Sequence, residues 1–376
     1  MLWGVVTSLN SMLVPFLREI FILSHMESML VQVAFYFAPF TICLPIAFFL
    51  SRWGYVAITQ VSLVFISIGC FLFYPAAEIS SYIFFLIAIF VLAMGVAALQ
   101  VAATPFVVLI GNSKSAASRL SFCSSLNSIG VTLASIVGMG VFMTALVVDR
   151  SSALQSVKFP YMLMGLSALI LSVLFVFLKK INTRTDRILR THMVVELFQN
   201  KAFLVGAIAI FLYVGAEVSI GTFLIGYLTD GDVLSMSPKE AGIHISLYWG
   251  GAMVGRAIGV AVLVHISPRT VLICNSIVAV ILCILAMIFP GYIGACSLTL
   301  IGLCNSVLYP IIFSHSVKNS GGLEGAASAI LIMCGVGGGL MPLLQAFVAD
   351  QLSLLFSFIV PSLCYGLITL LFIRKC

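Results

Sequence analysis

The chain has 376 residues, of which 62% are hydrophobic and 8% charged, and a mean hydropathy of +1.23. That charged fraction is about a third of what a soluble chain carries, which excludes a water-soluble enzyme or binding module and leaves an all-α polytopic membrane protein with length for about twelve spans of ~20 residues. The net charge of +6 reflects loop topology and gives no indication of nucleic acid.

Apolar runs separated by short polar breaks fall at residues 1–17, 29–51, 57–75, 82–111, 120–147 and 160–178, then at 202–228, 241–264, 270–289, 292–316, 325–349 and 354–373. Each reads as a helix across the bilayer. The one long polar break carries Lys179, Lys180, Arg184, Arg187, Arg190 and Lys201, and divides the runs six and six. The expected organisation is an N-terminal six-helix bundle over 1–178, a basic, solvated cytoplasmic linker over 179–201 and a C-terminal six-helix bundle over 202–376. The first run is only ~25 Å long as a helix and has no preceding basic anchor; a start called too late and a real short helix both fit. No cleavable signal peptide is visible, because the first residues run straight into a span.

Orientation follows from the cations. With both termini inside, the inner loops and span ends hold Arg52, Lys114, Arg119, the six connector cations, Arg256, Arg269, Lys318, Arg374 and Lys375, which is fourteen of the 18. Arg18, Arg150, Lys158 and Lys239 remain outside. This positive-inside pattern predicts a multi-pass protein of a bacterial inner (plasma) membrane with both termini cytoplasmic.

One acid lies in the middle of a span. Residues 202–228 carry no charge except Glu217, near the midpoint. Inserting a carboxylate at that depth costs roughly 2.5–3.5 kcal/mol, so such a group faces a bundle interior or a water-filled cavity. Helical spacing places Tyr213, Glu217, Gly221 and Leu224 on one stripe, with Gly221 expected to leave room beside the carboxylate. Two readings stand: a glutamate that ties two helices together, and an ion or cavity site.

Other polar side chains within spans are few. Asn10 and Ser11 lie in the first, Gln32 and Tyr36 one turn apart in the second, Gln100 in the fourth near helix-weakening Pro105, and Asn127 in the fifth. Trp249 lies in the eighth, Asn305 and Tyr309 in the tenth, and Gln345 in the eleventh. A lone amide in a membrane helix is more often glue between helices than a ligand contact. As a set, amides and aromatic rings can hydrogen-bond a polyhydroxylated solute and stack on its apolar face. Asn10, Gln32, Tyr36, Gln100, Asn127, Trp249, Asn305, Tyr309 and Gln345 are therefore the candidate substrate-binding residues, and Glu217 the candidate ion-coupling residue.

Glycine and proline cluster at Gly138 and Gly140, at Gly250, Gly251 and Gly255, and at Gly335 and Gly337 to Gly339 before Pro342. Close helix packing and helix rocking both require such residues. The ten cysteines show no zinc-type or CxxC spacing and read as small embedded hydrophobes. The five histidines are scattered, no nucleophile–base pair stands out, and GVGGG is not followed by GK[ST]; no enzyme, cofactor or metal centre is expected.

The segments WGVVTSLNSMLVP (Trp3 to Pro15), LVQVAFYFAPF (Leu30 to Phe40), LQVAATPFVVLIG (Leu99 to Gly111) and LNSIG (Leu126 to Gly130) resemble first-half signatures of the major facilitator superfamily, and within it of the fucose–galactose–glucose:proton symporter family. YVGAEVSIGTFLIGYL, YWGGAMVGR, NSVLYPIIFS, GVGGGLMPLLQAFVAD and SFIVPSLCY resemble those of the second half, nearest to its glucose/galactose branch, and Glu217 matches a glutamate of that branch. The resemblance implies two six-helix bundles, each of inverted three-helix repeats, around a midplane sugar cavity that opens alternately to each side.

Departures from the family pattern bear on coupling. Proton-coupled members typically carry an aspartate where this chain has Ser11, and a glutamate where it has Gln100. Neither replacement titrates in the relevant range. A family glutamine is here Ser124, and the loop SRWGY keeps Arg52 and Gly54 but has Val56 and Ala57 in place of a basic pair. Glu217 remains the one intramembrane acid, able to carry a proton or to help hold a sodium ion beside backbone carbonyls. Arg256 reads as a snorkelling or latching cation at the inner end of its span. The expected function is transport of a hexose or 6-deoxyhexose by a monomer in the lipid bilayer, import being favoured over export. An uncoupled facilitator, a transport-dead sugar-binding sensor and, less well matched to the amides, a drug exporter are the alternatives.

Overall fold

Hydrocarbon offers the backbone no hydrogen-bond partners, so a chain this apolar must satisfy its amides internally. The computed structural model describes residues 1–109, parts of 123–138, 150–177, 191–231, 233–321 and 323–373, and these are helical almost throughout. In order they form α1 (Leu2–Phe21), α2 (His25–Ser28), α3 (Leu30–Ile79), α4 (Tyr82–Leu109), α5 (Arg150–Phe177), α6 (Thr191–Gln199), α7 (Lys201–Thr229), α8 (Pro238–His265), α9 (Pro268–Ile288), α10 (Tyr292–Lys318), α11 (Glu324–Met333), α12 (Gly337–Gln351) and α13 (Ile359–Ile373). Ten stretches among the described residues are long and apolar enough to cross a membrane, and they coincide with the predicted runs other than the first and fifth. Most of the fifth run, with Ser124, and residues 178–190 of the connector lie outside the described residues.

The first run is longer than its hydropathy suggests. Helix α1 continues to Phe21, about 30 Å at 1.5 Å per residue. It stops where Ile22 turns left-handed (φ 54°), and the Leu23 N–H returns to the Arg18 carbonyl at 3.0 Å. Polar Asn10 and Ser11 are buried within it, so tertiary packing holds a helix that composition makes too short. The second and third runs share the 50-residue α3, broken only at Gly54 (φ 79°, ψ 169°). Glycine takes that conformation without a Cβ clash, which is why the chain can reverse there. The far end of the connector is not simply solvated: α6 is a nine-residue helix whose Leu197 is buried.

Helix α12 is wedged between the early and late halves of the chain. The eleventh run is interrupted by a 3-10 turn, Cys334–Val336, and the three glycines that follow each face a different neighbour. A Cβ on Gly337 would run into the main-chain oxygen of Phe211 in α7, one on Gly338 would come within 2.8 Å of the Tyr36 ring in α3, and one on Gly339 within 3.0 Å of the Val33 Cα. Only backbone fits in this seam. At the end where α1 turns into α2, the Asp350 carboxylate of α12 accepts the His25 and Met26 N–H groups at 3.2 and 2.9 Å. His25 stacks there on Phe223 of α7, with centroids 5.8 Å apart.

Gly337→Ala, against the Phe211 oxygen, and Gly302→Ala, against the Tyr248 main-chain oxygen, should each destabilise the protein by about 1–3 kcal/mol in detergent unfolding. Gly366→Ala, with nothing within 4 Å of its added methyl, should stay within about 0.5 kcal/mol of the parent. Equal losses at all three positions would remove the backbone-contact account of these glycines.

Candidate functional site

Helix α7 is the most enclosed of the long helices, with buried residues on all sides over its central turns. Glu217 lies there, half-buried, one turn beyond the buried Tyr213. Helical side chains lean toward the N-terminus, so the Glu217 side chain lies on the same stripe of α7 as Tyr213, one turn away. Tyr36 from α3, Tyr248 from α8 and Tyr309 from α10 are close enough to feel its charge, as is Arg256 from α8.

The surrounding hydroxyls are tied into one network centred on Asn305 of α10. The Asn305 amide nitrogen donates to the Tyr248 hydroxyl at 3.0 Å, and its amide oxygen accepts from the Tyr365 hydroxyl of α13 at 2.7 Å. Its main-chain carbonyl accepts from the Tyr213 hydroxyl at 2.9 Å. Tyr248 in turn donates to the main-chain carbonyl of Glu217 at 3.0 Å. Asn305, 2% exposed, thus joins four helices, and here its amide works as a tie.

The room beside Glu217 is not empty. A Cβ on Gly221 would lie 3.0 Å from the Trp249 ring, so the glycine seats the indole against α7 and the expected free space is filled. Trp249 meets Tyr248 edge-on at 5.1 Å, and Tyr213 faces Tyr309 at 6.2 Å. Trp249, Tyr309, Tyr36 and Glu217 are the partly exposed members of the group.

A second set of amides links helices far apart in the chain. The Asn10 side chain donates to the Gln32 oxygen at 2.9 Å, and the Gln32 nitrogen donates to the Thr222 hydroxyl at 3.0 Å, joining α1, α3 and α7. The Gln345 nitrogen donates to Ser357 at 3.2 Å. The Asn10 and Gln345 side-chain oxygens are buried without a hydrogen-bond partner in the protein. Ser11 bonds back to the Thr7 carbonyl at 3.3 Å. Gln100 is half-buried on α4, and half-buried Asn127 packs against Gly4 of α1. Among the described contacts, neither joins the network around Glu217.

Sequence reading alone did not single out Tyr248, Tyr365, Thr222 or Ser357. The available signal was chemical: a tyrosine or threonine mid-span must find a partner for its hydroxyl, so Tyr248 and Tyr365 belong with any buried amide nearby. Among the described residues no group of three or more metal-ligating side chains converges.

Comparisons with known proteins agree on one family. Residues 1–342 match the Major Facilitator Superfamily. The chain is 39% identical over 369 residues to a glucose/galactose transporter of Brucella abortus, covering 98% of this chain and 90% of that protein. It is 37% identical to a putative glucose/galactose transporter of Helicobacter pylori, covering 97% of this chain and 91% of the relative. It is 28% identical to the L-fucose-proton symporter of Escherichia coli, covering 98% and 89%. The crystal structure of FucP, a major facilitator transporter in the outward conformation, superposes with a TM-score of 0.76 at 27% identity, covering 100% of this chain and 96% of that one.

Replacing Asn305 with Leu removes a partner from the Tyr248 and Tyr365 hydroxyls and should destabilise the protein by about 1–3 kcal/mol in thermal unfolding. Tyr292→Phe, on an exposed ring, should change stability by less than about 0.5 kcal/mol. A neutral Asn305→Leu would mean that the network contributes no stability.

Proposed function

The chain belongs to the major facilitator superfamily, and on that premise we propose that it carries a hexose or 6-deoxyhexose across the inner membrane by alternating access, forming no covalent intermediate. The observation that carries this reading is the grouping of Trp249, Tyr309, Tyr36 and Glu217, all half-buried and drawn from both halves of the chain. Rings that offer a face beside polar groups suit a sugar, whose C–H face stacks while its hydroxyls hydrogen-bond. The unpartnered oxygens of Asn10 and Gln345 are further acceptors for hydroxyl groups. Gln100 and Asn127 would contribute from the first bundle, and Gln32 and Asn305 would act by holding the lining helices in place.

In this reading residues 1–178 and 202–376 are two six-helix bundles that rock about the site, the 179–201 segment joins them in the cytoplasm, and both termini are cytoplasmic. The bias of lysines and arginines supports that orientation. The protein acts as a monomer in the bilayer. Coupling to a proton, or to sodium, falls to Glu217, because Ser11 and Gln100 cannot titrate. Those same two residues favour a second reading, an uncoupled facilitator in which Glu217 serves only the sugar.

Counterflow of labelled glucose, galactose and fucose in proteoliposomes tests the carrier reading without any driving gradient. Exchange of at least one sugar is expected, with Glu217→Gln retaining exchange but losing accumulation driven by a proton or sodium gradient. A folded preparation that exchanges none of the three would remove the sugar-carrier proposal. Accumulation that survives Glu217→Gln would remove the coupling role.

A further inference from the structure

The short helix α2 bonds to both halves of the chain. Within it, the Glu27 N–H donates to the Ser24 hydroxyl at 3.1 Å and the Ser24 N–H to the Glu27 carboxylate at 2.9 Å, which fixes the turn from inside. The Tyr82 hydroxyl of α4 donates to the Glu27 carbonyl at 2.6 Å and holds the turn on the first half. Its two remaining first-turn donors go to the second half. The Asp350 carboxylate of α12 accepts the His25 N–H on one oxygen at 3.2 Å and the Met26 N–H on the other at 2.9 Å. Beside this contact the His25 ring lies on Phe223 of α7, and Gln32 of α3 bonds Thr222 of α7. The gap left between α1, α2 and α7, lined by Val14, Arg18, Ser28, Thr222, Phe223 and Gly226, measures about 30 Å³. That holds a water or two and is far too small for a hexose, so the halves are closed on each other here.

We propose that Asp350 is a positioning residue for transport, whose carboxylate latches α12 to α2 and holds this end of the carrier shut while the other end opens. The inference rests on the alternating-access reading above, and on the orientation proposed there this is the outer end. A carboxylate suits the task because it presents two acceptor oxygens to two adjacent N–H groups, whereas an amide presents one acceptor and one donor group. The turn is fixed from within by its own side chains, so its donors are aimed before the halves meet and closure has little backbone to order. The contact is also reversible. It lies at an exposed end of the molecule, where water takes over both N–H groups and the carboxylate when the halves part. A polar tie inside hydrocarbon has no such replacement.

Ser28→Cys reads the seam chemically. Ser28 is fully buried beside the gap and its hydroxyl bonds back to the His25 carbonyl at 2.8 Å, so a thiol of similar size fits there. In detergent, a water-soluble maleimide should label the introduced thiol slowly, with peptide-resolved mass spectrometry separating it from the native ones. Adding Asp350→Asn, which keeps the size and loses one acceptor, or Asp350→Ala should speed that labelling about tenfold or more, the shift expected for a lost hydrogen bond to a charged group. Buried Cys70 in the first half and Cys364 in the second should label at the parent rate. Labelling of the introduced thiol that is fast in the parent, or unchanged by both Asp350 substitutions, would overturn the latch. So would a rise shared equally by Cys70 and Cys364, which means general loosening. Counterflow of a hexose that the parent exchanges should fall several-fold in Asp350→Asn, and undiminished exchange would overturn the role in transport. The labelling needs no sugar: a parent that exchanges no hexose, but whose thiol Asp350→Asn exposes, would remove the sugar reading and keep the latch.

Discussion

Hydrocarbon cannot hydrogen-bond, and the arrangement of this protein's interior follows from that. Each hydroxyl or amide carried into a span must find its partner within the protein, at a cost of several kcal/mol if it does not. The chain meets much of the requirement by convergence: Asn305 gathers Tyr213, Tyr248 and Tyr365 from three other helices. Gln32 likewise joins Asn10 to Thr222, its own bond to Thr222 spanning 190 residues of sequence. These ties hold the rings that surround Glu217, so the geometry of the site depends on them even where the tying residue itself does not face the interior.

The second constraint is steric. Helices that approach to backbone contact do so through glycine, and in α12 Gly337 meets the main chain of α7 and Gly339 that of α3, with Gly338 between them against the Tyr36 ring of α3. Small residues let the backbones approach closely there. The 3-10 turn at Cys334–Val336 sits just before this seam, and Pro342 just after its start. The polar contacts from Asp350 to α2 lie at the other end of the same helix.

Charge in the interior has been reduced to a single acid. Ser11 spends its hydroxyl on its own helix, at the Thr7 carbonyl. Gln100 on α4 is an amide, able to hydrogen-bond a solute but not to titrate.

Much of this protein could be read from the order of its residues. Hydropathy sets the spans, because crossing hydrocarbon is a local demand on about twenty consecutive residues, and ten of the twelve runs recur as helices of sufficient length and apolarity. Glu217 stood out by the same logic, as the one charge where a charge is costly. What the order of residues could not decide was which polar groups meet. Asn305 is an isolated amide in its helix until Tyr365, 60 residues later, is folded against it. The space expected beside Gly221 is occupied by Trp249, and α1 runs on to Phe21 despite its thin hydropathy. Partner choice and space filling depend on contacts between helices remote in the chain, and only the tertiary structure decides them.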